Sequence, residues 1–359
     1  MRGSDEGALR AAGAGVGRVA AAAAGVASVG LEAGVGSGGA AGWMGARAWM
    51  LAAALMLAGC AAPPRTPADA KAEGAAGTAA SASAARHSSR QESVIVLGGE
   101  RLLAEWHLPP AGARPPRGLV TLQHGFMRQC HHLRGTAAAL AGAGLATLCL
   151  NTSVAGGNPA LARDLADALA GGQLTLPAGD ELPDRIVVAG FSAGAHFAVV
   201  LGARLAEVAS PRLAGAVLLD PVAGRAFEPA LQQLSARGER PVLSLAAKSD
   251  GCNARHNAHP ALRRMAEAAR AAGREDFAGV IFGSRSTHMD AEGEDSDWLA
   301  FMACGRFWPD ATIVATLRTL AAAWAADLVD ARRSGPAWPG GAMLQGWLGT
   351  GPLQLQPLR

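Results

Sequence analysis

The stretch Arg185-Ile186-Val187-Val188-Ala189-Gly190-Phe191-Ser192-Ala193-Gly194-Ala195-His196 constrains this chain more than any other. A β-branched run reads as a strand up to Gly190, and an Ala-rich run reads as a helix from Gly194. The serine between them falls in a strand-to-helix turn so tight that small residues are needed on both sides, which is where the two glycines stand. A serine in such a turn sits at a helix N-terminus, where unpaired N–H groups and the helix dipole favour negative charge. This is the pattern of a nucleophile elbow. The same five letters also suit a plain βα turn capped by serine, so the order of the surrounding elements has to separate the two.

Around the elbow, apolar strand-like runs alternate with Ala-rich helical stretches. Strands are expected over 118–123, 145–151, 185–190, 213–219, 241–246 and 277–282, with helices near 131–142, 159–170, 194–208, 227–237, 259–272 and 309–332. That alternation predicts a parallel sheet with helices on its faces. Ahead of it, the runs 93–97 and 101–108 flank Gly98-Gly99 and predict a hairpin, which Pro109 and Pro110 end. A hairpin leading into six βα steps, with Ser192 after the third parallel strand, resembles the α/β-hydrolase fold over roughly residues 92–333. Few large insertions separate the strands, so an open site without a sizeable lid is expected.

A serine hydroxyl is a weak nucleophile at neutral pH, so acyl transfer needs a base to take its proton and an acid to orient that base. In the resembled fold the chain order is Ser, acid, His. His288 lies in Ser286-Thr287-His288-Met289-Asp290, just past the last expected parallel strand, and is the candidate base. Two aspartates end strands where an acid is needed. Asp220 closes the strand next after the nucleophile and Asp250 closes the one beyond; as plain turn formers they would open an Asp-Pro and an Asp-Gly turn. The segments Leu219-Asp220-Pro221-Val222-Ala223-Gly224 and Thr287-His288-Met289-Asp290 resemble the chlorophyllase and dienelactone-hydrolase-like branch of the fold. That resemblance implies Asp220 as the triad acid, with Asp250 as the alternative. Phe191, Ala193 and Thr287 stand where plant chlorophyllases have His, Arg and Gly, departures that argue against chlorophyll as substrate.

A tetrahedral intermediate also needs donors for its oxyanion, each worth about 3–4 kcal/mol in related sites. Ala193 N–H, just after the serine, is one candidate. The His124-Gly125 pair after the first parallel strand resembles the oxyanion loop of the fold, which implies Phe126 N–H as the second. His124, Cys130, His131 and His132 share a loop, but the adjacent His131-His132 pair fits a tetrahedral site poorly, and no metal is expected. His196, one helical turn after Ser192, is expected to line or brace the pocket. No phosphate-binding Gly-rich loop is present, and triad chemistry needs no cofactor. A net charge of +3 without a basic stripe argues against nucleic acid.

The first ninety residues are rich in Ala, Gly and Ser. Residues 44–60, MGARAWMLAAALMLAGC, have a basic residue, a short apolar core and small residues before Cys60. The ending Leu57-Ala58-Gly59-Cys60 resembles a bacterial lipobox, which implies cleavage before Cys60, its lipidation, and, with Ala61 following, an outer-membrane anchor facing the periplasm. Residues 1–43 are then an unstructured or non-native extension, 44–59 the signal peptide, 60–91 a linker too poor in apolar residues to form a core, and 334–359 an irregular tail. In an exported protein cysteines can oxidise. Cys252 and Cys304 fall in loops beside the acid and the base and are expected to pair, while Cys149 lies in a strand pattern and is expected to be a buried free thiol.

The expectation is therefore a membrane-anchored serine hydrolase acting on a small or lipid-like carboxylic ester through an acyl-enzyme. The same triad suits a thioester or an amide, and an envelope lipoprotein could keep such a scaffold for binding alone.

Overall fold

The computed structural model describes residues 88–358 apart from Ala111, Gly305, Arg306 and 350–352. Cys60, the signal 44–59, the extension 1–43 and all but the end of the linker lie outside the described residues.

The chain opens with β1 (Ser89–Leu97) and β2 (Glu100–Leu108), an antiparallel hairpin paired from Ser89↔Leu108 to Leu97↔Glu100. Gly98 and Gly99 turn it at φ +57° and +83°, a conformation that side chains resist. The ladder begins at Ser89, ahead of the expected start, because an edge strand needs no apolar residues to pair and Arg90 and Glu92 simply face water. The remaining strands are β3 (Leu119–Gln123), β4 (Ala146–Asn151), β5 (Ile186–Phe191), β6 (Leu213–Leu219), β7 (Val242–Ala246), β8 (Gly279–Ile281) and β9 (Gln356–Leu358). They form one sheet in the order β1-β2-β4-β3-β5-β6-β7-β8-β9, with β3 to β8 mutually parallel and β2 and β9 antiparallel to their neighbours.

The helices are α1 (Arg134–Gly142), α2 (Pro159–Ala170), α3 (Ala193–Glu207), α4 (Phe227–Ser235), α5 (His259–Ala271), α6 (Trp298–Cys304), α7 (Ala311–Val329) and α8 (Ala342–Trp347). Successive residues of β5 serve opposite faces. Ile186 and Val188 pack with α2 to α5, whereas Val187 and Ala189 pack with α1 and α7. Because both faces are covered, β3, β5, β6 and β7 are buried along their whole length, which is why they read as continuous apolar runs. The result is the α/β-hydrolase architecture, and the turns after β3, β5, β6, β7 and β8 open at one end of the sheet, where such folds bind ligands.

Two features correct the sequence reading. Cys149 is not a free thiol: it is bonded to Cys130, with Cα atoms 5.7 Å apart. The strand pattern revealed its burial on β4, but not that the loop after β3 folds back over β4, where Cys130 N–H donates to Asn151 Oδ1 at 2.9 Å. Nor is the segment after 334 irregular throughout. It forms α8 and then β9, which extends the sheet beside β8, with Pro357 tolerated because the strand lies at the edge. Trp338 is buried there and donates its indole N–H to Asp327 Oδ2 at 2.8 Å, while Trp324 of α7 donates to the Ala337 carbonyl at 2.8 Å.

Trp338→Ala is therefore expected to destabilise the domain by about 3–5 kcal/mol, the usual range for truncating a buried tryptophan, as read from urea unfolding.

Candidate active site

The elbow is held by backbone packing. Ser192 has φ +56° and ψ −121°, a conformation rare for any residue but glycine. Its N–H donates to the Leu219 carbonyl at 3.0 Å, and its own carbonyl accepts from Ala195 N–H at 3.0 Å and Val222 N–H at 3.2 Å. The two glycines are required by space. A Cβ on Gly190 would meet the Gly194 carbonyl, and one on Gly194 would meet the carbonyls of Gln123 and His124. Ser192 precedes α3 without capping it, so its hydroxyl is not committed to the helix end and the plain N-cap reading does not apply.

Phe191 of β5 lies in register with Leu219 of β6, so Ser192 and Asp220 leave the sheet side by side. His288, the first residue of a 3-10 turn spanning His288–Ala291, donates Nδ1–H to Asp220 Oδ2 at 2.7 Å, both groups being buried. Its ring lies 4.7 Å from that of Phe191, the residue before the serine. Among the described residues no hydrogen bond joins Ser192 Oγ to His288 Nε2; contacts of this kind commonly tighten only when substrate binds. Asp220 is further held by Ala247 N–H at 3.1 Å and by the Asn253 side-chain amide at 3.2 Å.

Asp250 is not at the base. Its Oδ1 accepts from the N–H groups of Cys252 and Asn253 at 2.8 and 3.0 Å, an Asx turn that delivers the fully buried Asn253 to Asp220. Asn253 is a site residue that sequence reasoning missed. In the sequence it is one more turn-forming residue after Asp250-Gly251, and only the fold shows where its amide points.

The loop after β3 closes the other side. Gly125 lies so near the elbow that a Cβ on it would come within 3.2 Å of the Phe191 ring and of Ser192 Cβ. Its carbonyl accepts from His124 Nδ1–H at 2.9 Å and Arg128 N–H at 3.2 Å. In a trans peptide the following N–H, that of Phe126, must then point the opposite way. Neither Phe126 N–H nor Ala193 N–H has an acceptor among the described residues. His124 is buried, and burial pulls its pKa down to about 4, so the imidazole is neutral near pH 7 and serves as a brace. His196 is also a brace: a Cβ on Gly157 or Gly224 would strike its ring, which stands edge-on to Phe227 at 5.8 Å.

Two ties join the loops. Arg128, two residues past Phe126, makes a bidentate pair with the fully buried Glu292 at 2.7 and 2.6 Å, four residues past His288. On the far side Cys252 and Cys304 form a disulfide between the acid loop and α6. The Arg128–Glu292 pair had no sequence signal, since neither residue belongs to a motif. Between them Asp290 accepts from Thr287 N–H at 2.8 Å, and burial, reinforced by the charge of Asp220, raises its pKa to about 7. The loop's possible metal ligands are engaged elsewhere: Cys130 in its disulfide and His132 with Asp297. Among the described residues no group of three His, Cys, Asp or Glu could hold a metal ion.

Arg128→Met is expected to lower stability by about 3–5 kcal/mol, because it leaves Glu292 buried and unpaired, with most of the loss recovered in Arg128→Met/Glu292→Met. Urea unfolding of both variants measures this. Asp290→Asn tests the raised carboxyl. A folded pKa above the unfolded value of about 4 means that the protonated carboxyl stabilises at low pH and that this contribution fades as pH rises towards about 7. Asp290→Asn is therefore expected to gain stability relative to wild type between pH 4 and 7; unfolding curves at the two ends of that window, showing no relative gain, would count against the raised pKa.

No protein-family model matches the chain, and no curated protein sequence matches it. Among solved structures it is similar to a thermostable esterase from Pseudomonas putida at 16% identity and a TM-score of 0.46, covering 70% of this chain and 88% of that one. An esterase from Rhizomucor miehei gives 16% and 0.44, covering 69% and 89%. One from Pyrobaculum calidifontis gives 15% and 0.39, covering 57% and 78%.

Proposed function

We propose that the chain is a serine hydrolase of carboxylic esters that works through an acyl-enzyme. The observation that carries this reading is the buried 2.7 Å hydrogen bond from His288 to Asp220, set against Phe191 beside the strained turn of Ser192. Ser192 Oγ attacks the ester carbonyl while His288 Nε2 takes its proton. Asp220, already bonded to Nδ1–H, holds the tautomer and stabilises the imidazolium that forms. The oxyanion is held by Ala193 N–H and Phe126 N–H, and the Nε2 proton then passes to the departing alcohol. Water, activated by the same imidazole, releases the acid. No step calls for a cofactor.

The lipobox-like segment ending at Cys60 supports the further proposal that the enzyme is anchored by lipid in the bacterial envelope, facing the periplasm. Its substrates are then small or lipid-like esters met in that compartment.

The test is hydrolysis of short acyl nitrophenyl esters by the purified chain. Ser192→Ala should abolish turnover, and Asp220→Asn should lower kcat by about 10³–10⁴-fold, as loss of a triad acid does. Asp250→Asn should fall far less, because it loosens only the turn behind Asn253. Equal losses at the two aspartates would remove Asp220 from its role. A folded wild type that cleaves no ester of any acyl length would favour a binding lipoprotein, and a strong preference for thioesters would make it a thioesterase.

A further inference from the structure

Large apolar side chains are exposed in one place above all. Phe126 and Met127 are 56% and 83% exposed on the loop beside Ser192, and Trp298, Leu299 and Met302 are 60%, 74% and 61% exposed on α6. Beyond α6, Phe307 and Trp308 are also exposed, and Trp308 stacks on Phe301 at 4.5 Å. Elsewhere among the described residues the large exposed apolar side chains are Val94, Val96 and Leu103 of the hairpin and Val208. A concentration of this kind marks an interaction surface.

The helix that carries it is fixed to the site at both ends. Asp297 caps α6 by accepting Ala300 N–H at 2.9 Å, and it is bonded at 3.1 Å to Arg128, next to Met127. At the other end Cys304 is joined to Cys252, the neighbour of Asn253 that holds Asp220. α6 thus runs from the oxyanion loop to the acid loop. Its sequence, WLAFMAC, contains no charge, and Ala300 is its buried residue. The acids along its border share two arginines, Glu292 and Asp297 bonding to Arg128 and Glu294 and Asp295 to Arg318. A helix face with no charge of its own and with exposed tryptophan complements uncharged hydrocarbon.

We propose that this rim seats on the hydrocarbon of a lipid–water surface, and that the preferred substrates are long-chain acyl esters presented there. The substrate part rests on the reading of Ser192 as the ester-cleaving nucleophile; the seating does not, and it needs no lipid on Cys60. A surface that covers Phe126, Met127 and α6 brings an ester carbonyl to Ser192, which is only 8% exposed at the base of the rim. It also excludes water from Phe126 N–H.

The experiment compares the full chain with Trp298→Ser/Leu299→Gln/Met302→Gln and with Val94→Thr/Val96→Thr, which removes exposed apolar groups far from the site, all three carrying Cys60→Ser so that no lipid chain holds them to vesicles. Each is assayed on dissolved nitrophenyl butyrate, on nitrophenyl palmitate dispersed in phosphatidylcholine vesicles, and for sedimentation with vesicles of phosphatidylcholine alone. The rim variant should lose at least tenfold in the ratio of palmitate to butyrate kcat/KM and should stop sedimenting with vesicles, while the hairpin variant stays within twofold of wild type on both. Butyrate cleavage with ratio and sedimentation unchanged in the rim variant overturns the rim and leaves the hydrolase reading intact. No turnover of either ester by folded wild type overturns the hydrolase reading and the substrate class, and sedimentation then decides the seating alone. Self-association abolished by the rim substitutions, with no vesicle binding in wild type, assigns the surface to a second copy and overturns the proposal.

Discussion

The site depends on how closely the start of α3 approaches the ends of β3 and β5. Ser192 is held at a positive φ that costs on the order of 1–3 kcal/mol, and it stays there because its backbone is bonded to Leu219, Ala195 and Val222. That packing is possible only where Gly190 faces the Gly194 carbonyl and Gly194 faces the carbonyls of Gln123 and His124. One contact therefore does two things. It presents the serine, and it presses the loop after β3 against the elbow, since Gln123 and His124 lead directly into Gly125. A substitution at either glycine would disturb Ser192 and the loop together.

The sheet supplies the remaining geometry by register. Parallel strands with β5 and β6 adjacent place Ser192 and Asp220 at neighbouring strand ends, and β8, two strands beyond β6, leads to the turn bearing His288. What the sheet cannot fix is the relation between loops that share no strand. Side-chain ties supply it. Arg128–Glu292 joins the loop after β3 to the turn bearing His288, Asn253 joins the loop after β7 to Asp220, and the Cys252–Cys304 disulfide fixes α6 across the gap. Thr136 Oγ1–H to the Ala291 carbonyl and Gly135 N–H to Asp295 bind the base loop to α1 as well. The turn bearing His288 is thus tethered on several sides, as the proposed proton transfer would require.

The sequence made legible what repeats or what sterics force. Alternating apolar runs located the parallel strands to within one residue, and the shorter β8 to within two, because strands buried on both faces can hold little else. The two glycines marked the elbow, because no other residue fits there. Choosing Asp220 over Asp250 needed a family resemblance, since both aspartates end strands and both are good turn formers. The illegible parts are the pairings made by the fold alone. Asn253, Arg128 with Glu292, and Cys130 with Cys149 are distant or unpatterned in the chain. The strand β9 contains a proline and has no period, and it exists because β8 offers an open edge.

Three carboxyl groups are buried close to His288, yet their surroundings give them different work. Glu292 is matched by the Arg128 guanidinium, which satisfies both its oxygens. Asp290 has its oxygens engaged by the backbone and hydroxyl of Thr287, and burial together with the charge of Asp220 pushes its pKa to about 7, so a second full negative charge beside Asp220 is disfavoured. Asp220 alone meets the imidazole, and its other partners, Ala247 N–H and the Asn253 amide, are neutral donors. Neutral donors hold a carboxylate in place without cancelling its charge, whereas an arginine there would remove the field that an imidazolium needs. A cation, burial and neutral donors thus separate the three carboxyls, and Asp220 is the one bonded to His288, the arrangement that the proposed mechanism calls for.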